Sequence, residues 1–159
     1  MEIQTQNTAF ARLQYLIKNR QKPPIPGQVW EVPDRPKGFY ERLLVLEEVD
    51  DSFRVMILSR GREKHFAAKY DVLLQDENLL NIKWVAHTHL VFVVPRKALH
   101  RLYGRVSGEI FDFISRIDRH KNPKIPPSGC VFGPGVDTLL EKEYDTWQLY
   151  VKRALVAHM

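Results

Sequence analysis

From residue 28 to residue 94 the chain is written in short apolar runs, each closed by turn residues, and this limits the core to short strands. The runs are 28–32, 42–47, 53–58, 70–74 and 84–94. Pro33-Asp34-Arg35-Pro36-Lys37-Gly38 and Asp50-Asp51 separate the first three. Strands of this length joined by turns predict a small barrel or sandwich. Closing them into a barrel removes the exposed edges that otherwise invite association. The segment 84–94 reads either as two strands, Trp84-Val85-Ala86-His87 and His89-Leu90-Val91-Phe92-Val93-Val94, or as one bent strand.

Helical patterns flank this region. Phe10, Leu13, Leu16 and Ile17 recur at steps of three and four, with Thr8 as the expected N-cap of a helix over 8–19. Lys22-Pro23-Pro24-Ile25-Pro26-Gly27 breaks that pattern and forms a hinge. Residues 98–103 read as a turn of helix or a short strand ending at Gly104. Ser107 is then the expected cap of a helix with Ile110, Phe113, Ile114 and Ile117 on one stripe. Residues 122–135 hold four prolines and three glycines and are expected to be a linker or surface loop. A last helix is predicted over 137–157, its apolar face formed by Leu139, Leu140, Tyr144, Trp147, Tyr150, Val151 and Leu155. The expected fold class is mainly β with flanking helices: an N-terminal helix and hinge over 1–25, a barrel with a closing helix over 26–118, and a linker and helix over 119–159.

With 159 residues, 44% of them apolar and 27% charged, the chain suits one soluble globular domain with appendages. No apolar stretch approaches the roughly 20 residues that cross a bilayer. The start, Met1-Glu2-Ile3-Gln4-Thr5-Gln6, has neither the basic residues nor the apolar run of a signal peptide. A cytoplasmic protein with no membrane partner is expected. Cys130 is the single cysteine, which leaves no internal disulfide and no thiolate metal cage, and it reads as a buried or inert thiol in a Pro/Gly loop. No cofactor or metal is expected. The net charge of +5 favours anionic partners.

The residues that suggest chemistry come in a fixed order. Gly27-Gln28-Val29-Trp30 opens the first strand, Arg42 enters Leu43-Leu44-Val45-Leu46, and Arg54-Val55-Met56-Ile57-Leu58 ends on Ser59. This series resembles the PemK/MazF-like toxin family of small SH3-like barrels. Tyr70-Asp71-Val72-Leu73-Leu74, Trp84-Val85-Ala86 and Leu102-Tyr103-Gly104-Arg105-Val106-Ser107 followed by a helix resemble that family's later parts, so the likeness spans about residues 26–117.

The resemblance implies a metal-independent endoribonuclease acting on single-stranded RNA, a homodimer, and an antitoxin or assembly partner protein. It also implies that Arg42 and Ser59 are the catalytic pair. An arginine beside the phosphate supplies donors to the charge building on its oxygens, and a hydroxyl holds one of those oxygens. Both polar ends are therefore expected within reach of one phosphate. Of the carboxylates and imidazoles able to act as general base, Glu41 is preferred over Glu31, Asp34 and His65. Arg60, Arg62, Lys64 and His65, directly after Ser59, are expected to hold a nucleic-acid backbone. The chain departs from the family pattern at Leu43, where proline is usual, at Ser59, where threonine is commoner, and in the loop 33–40.

A noncatalytic interaction module or scaffold is the alternative, separated from the nuclease by whether Arg42 and Ser59 converge on an open groove. Other features compete for notice. His87-Thr88-His89 places two imidazoles on one face of a regular strand, a spacing that metals use, although ordinary histidines are the simpler reading. Trp30, Trp84, Phe92 and Trp147 sit in apolar patterns that suit core or docking roles better than base stacking.

Overall fold

The computed structural model describes residues 2–32, 42–60, 71–80, 82–120 and 126–132. Among these residues seven strands form a single antiparallel sheet: β1 (Gln28–Glu31), β2 (Arg42–Val49), β3 (Ser52–Arg60), β4 (Val72–Gln75), β5 (Lys83–Pro95), β6 (Arg101–Arg105) and β7 (Cys130–Phe132). Their order is β6-β1-β2-β3-β5-β4-β7. Two α-helices among the described residues accompany them, α1 (Glu2–Asn19) and α2 (Gly108–His120). Mainly β with flanking helices is thus the architecture. Among the described residues β6 and β7 are the sheet's two edges and do not pair with each other. No helix among these residues is long and apolar enough to cross a membrane.

The apolar runs form strands because both faces of the sheet are covered, which favours near-continuous hydrophobic sequence over alternation. On one face Val29, Leu44, Met56, Leu58, Trp84 and Ala86 meet the α2 stripe of Ile110, Phe113, Ile114 and Ile117. Ser107 stands where the sequence placed the cap of α2, its carbonyl accepting from the Phe111 amide at 2.9 Å. The opposite face gathers Trp30, Leu43, Val45, Val55, Ile57, Leu90 and Leu102, with Tyr15 and Leu16 of α1 packed against them. A two-residue loop joins β2 to β3, closing the pair Val49 and Ser52 with Asp50 at φ 54°, a left-handed conformation that aspartate tolerates.

Two expectations are corrected, and at 84–94 the reading of one bent strand holds. The helix α1 begins at Glu2, so Thr8 lies inside it rather than capping it. The region 84–94 is one strand, but it carries a wide bulge: Ile57 pairs with His87 and its neighbour Met56 with Val91, leaving Thr88, His89 and Leu90 outside the regular ladder. Residues 130–132, expected in a linker, pair with β4 through Leu74–Cys130 and Val72–Phe132. The glycine that argued against structure there is what permits it. Gly129 sits at φ 88° and its carbonyl accepts from the Gln75 amide at 2.9 Å, turning the chain onto the sheet edge. The predicted helix over 137–157 lies outside the described residues.

Candidate functional site

Arg42 and Ser59 do lie on neighbouring strands, yet the register separates them. Arg42 pairs with Leu58, and residues directly opposite in an antiparallel pair share a face while successive residues alternate. Ser59, one step further on β3, therefore points to the other face. The expected convergence on one phosphate is not what the sheet builds.

On the α2 side, Arg42 is buried and its Nη2 lies 3.3 Å from Glu31 Oε1. The second carboxylate oxygen of Glu31 takes Arg101, whose Nη2 and Nε are at 3.0 and 3.1 Å. Arg42 also lies 5.2 Å from the centre of the Tyr103 ring, which Arg12 of α1 approaches to 4.5 Å. Glu31, one of the candidate bases, is thus engaged by two guanidiniums. Its pairing opposite Arg42 follows from the β1–β2 register, in which these two residues are direct partners.

On the other face the Ser59 hydroxyl meets His87 Nε2 at 2.7 Å, and His87 Nδ1 meets Asp71 Oδ2 at 3.2 Å. The other Asp71 oxygen accepts from the Thr88 amide at 2.9 Å and from the Thr88 hydroxyl at 3.2 Å. A carboxylate only accepts, so Nδ1 donates to Asp71, and in the neutral ring Nε2 accepts from the Ser59 hydroxyl. Ser59, His87 and Asp71 are 1%, 0% and 0% exposed. Hydroxyl, imidazole and carboxylate in this order are the parts of a nucleophilic relay. Burial gives them a structural task instead: Asp71 satisfies the amide that the bulge at Thr88 removes from the ladder, and His87 ties that carboxylate to the end of β3.

Sequence reasoning singled out Ser59 and His87 separately and did not join them to Asp71. The available signal was a polar residue in each of three apolar runs, since buried polar groups require partners. Both ring nitrogens of His87 are occupied in this network, which leaves neither for the metal pairing considered with His89. Glu41, Arg62, Lys64, His65 and Asp34 lie outside the described residues, as does the side chain of Arg60, whose backbone pairs with Trp84. A cavity of about 310 Å³ opens at the β4–β7 edge, lined in part by Leu73, Lys83 and Val131, and none of Arg42, Ser59, His87 or Asp71 borders it.

Cys130 is buried, and burial, with Asp76 and Glu109 adding negative charge nearby, pushes its thiol from 9.0 up to about 11. A thiol so shifted is a poor nucleophile. No protein-family model matches the chain, and no curated protein matches it in sequence.

Proposed function

We propose that this chain is a noncatalytic, RNA-binding interaction module built on a PemK-like, SH3-like barrel and serving a larger protein or nucleoprotein assembly. The observation that carries the proposal is the separation of Arg42 from Ser59, each already committed to buried partners on its own face. The barrel reading is supported by the order β6-β1-β2-β3-β5, a meander whose last strand returns to the first. One apolar cluster draws on all five of those strands, which favours a curled sheet over a flat one. Affinity for RNA would come from the exposed cations Arg96, Lys97, Arg101 and Arg105, which follow one another along the turn before β6 and β6 itself. Such contacts bind phosphates without reading or cutting the strand.

A second reading, an endoribonuclease paired as a homodimer and held by an antitoxin, is favoured by one observation. Ser59, the hydroxyl member of the Ser59–His87–Asp71 relay, directly precedes the basic segment 60–65 in sequence. The two readings part in one experiment, incubation of the protein with labelled single-stranded RNA in excess chelator. Retention of intact RNA supports the module. Fragmentation of RNA with DNA of the same sequence left whole overturns it, because a 2′-hydroxyl nucleophile requires ribose.

A further inference from the structure

The cavity at the β4–β7 edge is built by the strand register. Gln75 pairs with Lys83 on one side of β4, and Leu73 pairs with Val131 on the other. Residues directly opposite share a face, as do residues two apart on one strand. Leu73, Gln75, Lys83 and Val131 therefore stand together, and all four line the cavity of about 310 Å³. Gly129, two residues before Val131, completes this face, its carbonyl accepting from the Gln75 amide. That position excludes a side chain, because its φ is 88° and a Cβ there would stand 2.8 Å from the Gln75 carbonyl oxygen. The recess thus follows from the fold: one place in a patch of side chains has to stay empty.

Its walls differ in chemistry. Leu73 is half-buried and Val131 is 58% exposed, so a hydrocarbon laid against them takes apolar surface out of water. Lys83 is exposed and, among the described residues, has no carboxylate paired with its ammonium. No acidic residue borders the cavity among those residues either. A wholly apolar ligand would strip water from the ammonium and return nothing. A polyphosphate would set its further charges against leucine and valine. One anionic group on an apolar body suits both walls, and a carboxylate can also accept from the Gln75 carboxamide beside Lys83. The volume lies at the lower end of the range for small-molecule sites, about 300–1,000 Å³.

We propose that this recess binds a small organic carboxylate, its anion held by Lys83 and its apolar body by Leu73 and Val131. The site does not depend on RNA binding, since the cations assigned to RNA lie on and before β6, at the other end of the strand order.

The test titrates the isotope-labelled full chain with naphthoate and with naphthamide, its neutral analogue of similar shape, following backbone amide shifts by NMR. The result expected is saturable naphthoate binding with shifts gathered at residues 73–75, 83–84 and 129–131. Affinity should fall at least about fivefold for naphthamide, and for naphthoate with Lys83→Gln, the size of one solvent-screened ion pair. Val131→Glu should abolish naphthoate binding by removing an apolar wall and adding like charge. Equal binding of acid and amide, shifts scattered over the surface, or no saturation overturns the proposal. If Lys83→Gln fails to fold, the acid–amide comparison and Val131→Glu decide it.

Discussion

The Ser59 hydroxyl lies 2.7 Å from Nε2 of His87 in a part of the sheet where neither side chain reaches solvent. In the structural role assigned here, Ser59→Ala strands a buried imidazole nitrogen. The cost of leaving such a group unsatisfied is about 1–3 kcal/mol. Urea unfolding of the variant should show a lower midpoint with an unchanged slope. No loss of stability would return the relay to a catalytic role.

The strands that build this network were legible in the sequence, because apolar runs and Asp50-Asp51 mark them locally. The site was not legible, because it depends on which face each residue takes. Arg42 and Ser59 both sit at strand ends in the sequence, but only the pairing of Arg42 with Leu58 reveals that they diverge. The bulge after His87 was equally hidden: three residues leave the ladder there, and Asp71 compensates from another strand. The strand at 130–132 was missed because proline and glycine count argues for a loop, while Gly129 at φ 88° supplies the turn that brings the strand to β4.

Glu31 holds one buried and one exposed arginine, which makes their contributions separable. Breaking a buried ion pair from one side costs roughly 3–5 kcal/mol, because the charge left behind remains desolvated. Glu31→Gln should approach the lower end of that range, since Arg42 retains its approach to the Tyr103 ring. Arg101 has a side chain that is 73% exposed, and Arg101→Ala should cost no more than about 1 kcal/mol, as solvent-screened pairs do. Thermal denaturation of both variants measures the contrast, and equal losses would show that the pairs are not differently buried.

If the cations around β6 hold RNA, their removal must appear in the salt dependence. Lys97→Gln and Arg105→Gln should each reduce the slope of log affinity against log salt by about 0.7, the value for one phosphate contact on a single strand. The weakening should be uniform across RNA sequences, because backbone contacts carry no base information. Filter binding at several salt concentrations checks this. An unchanged slope in both variants places the RNA contacts elsewhere on the chain.

Cys130 ties stability to alkaline pH, and the sign follows from which state keeps its proton. Burial first, then Asp76 and Glu109, raise the folded thiol to about 11 from an ordinary value of 9.0. Below 9 both folded and unfolded chains hold the proton, and the cysteine adds no pH dependence. Between about 9 and 11 the unfolded thiol ionises while the folded one does not, so the unfolded state is favoured increasingly as pH rises. One pKa unit corresponds to about 1.4 kcal/mol, which sets the slope in that window as about 1.4 kcal/mol lost per pH unit. Above the folded value both states are ionised and the loss levels off. Chemical denaturation from pH 8 to 11 should show this fall, and Cys130→Ala should flatten it while lowering stability at pH 8 through the space left in the core on the α2 side of the sheet. A slope that survives the substitution would assign the alkaline loss to other groups.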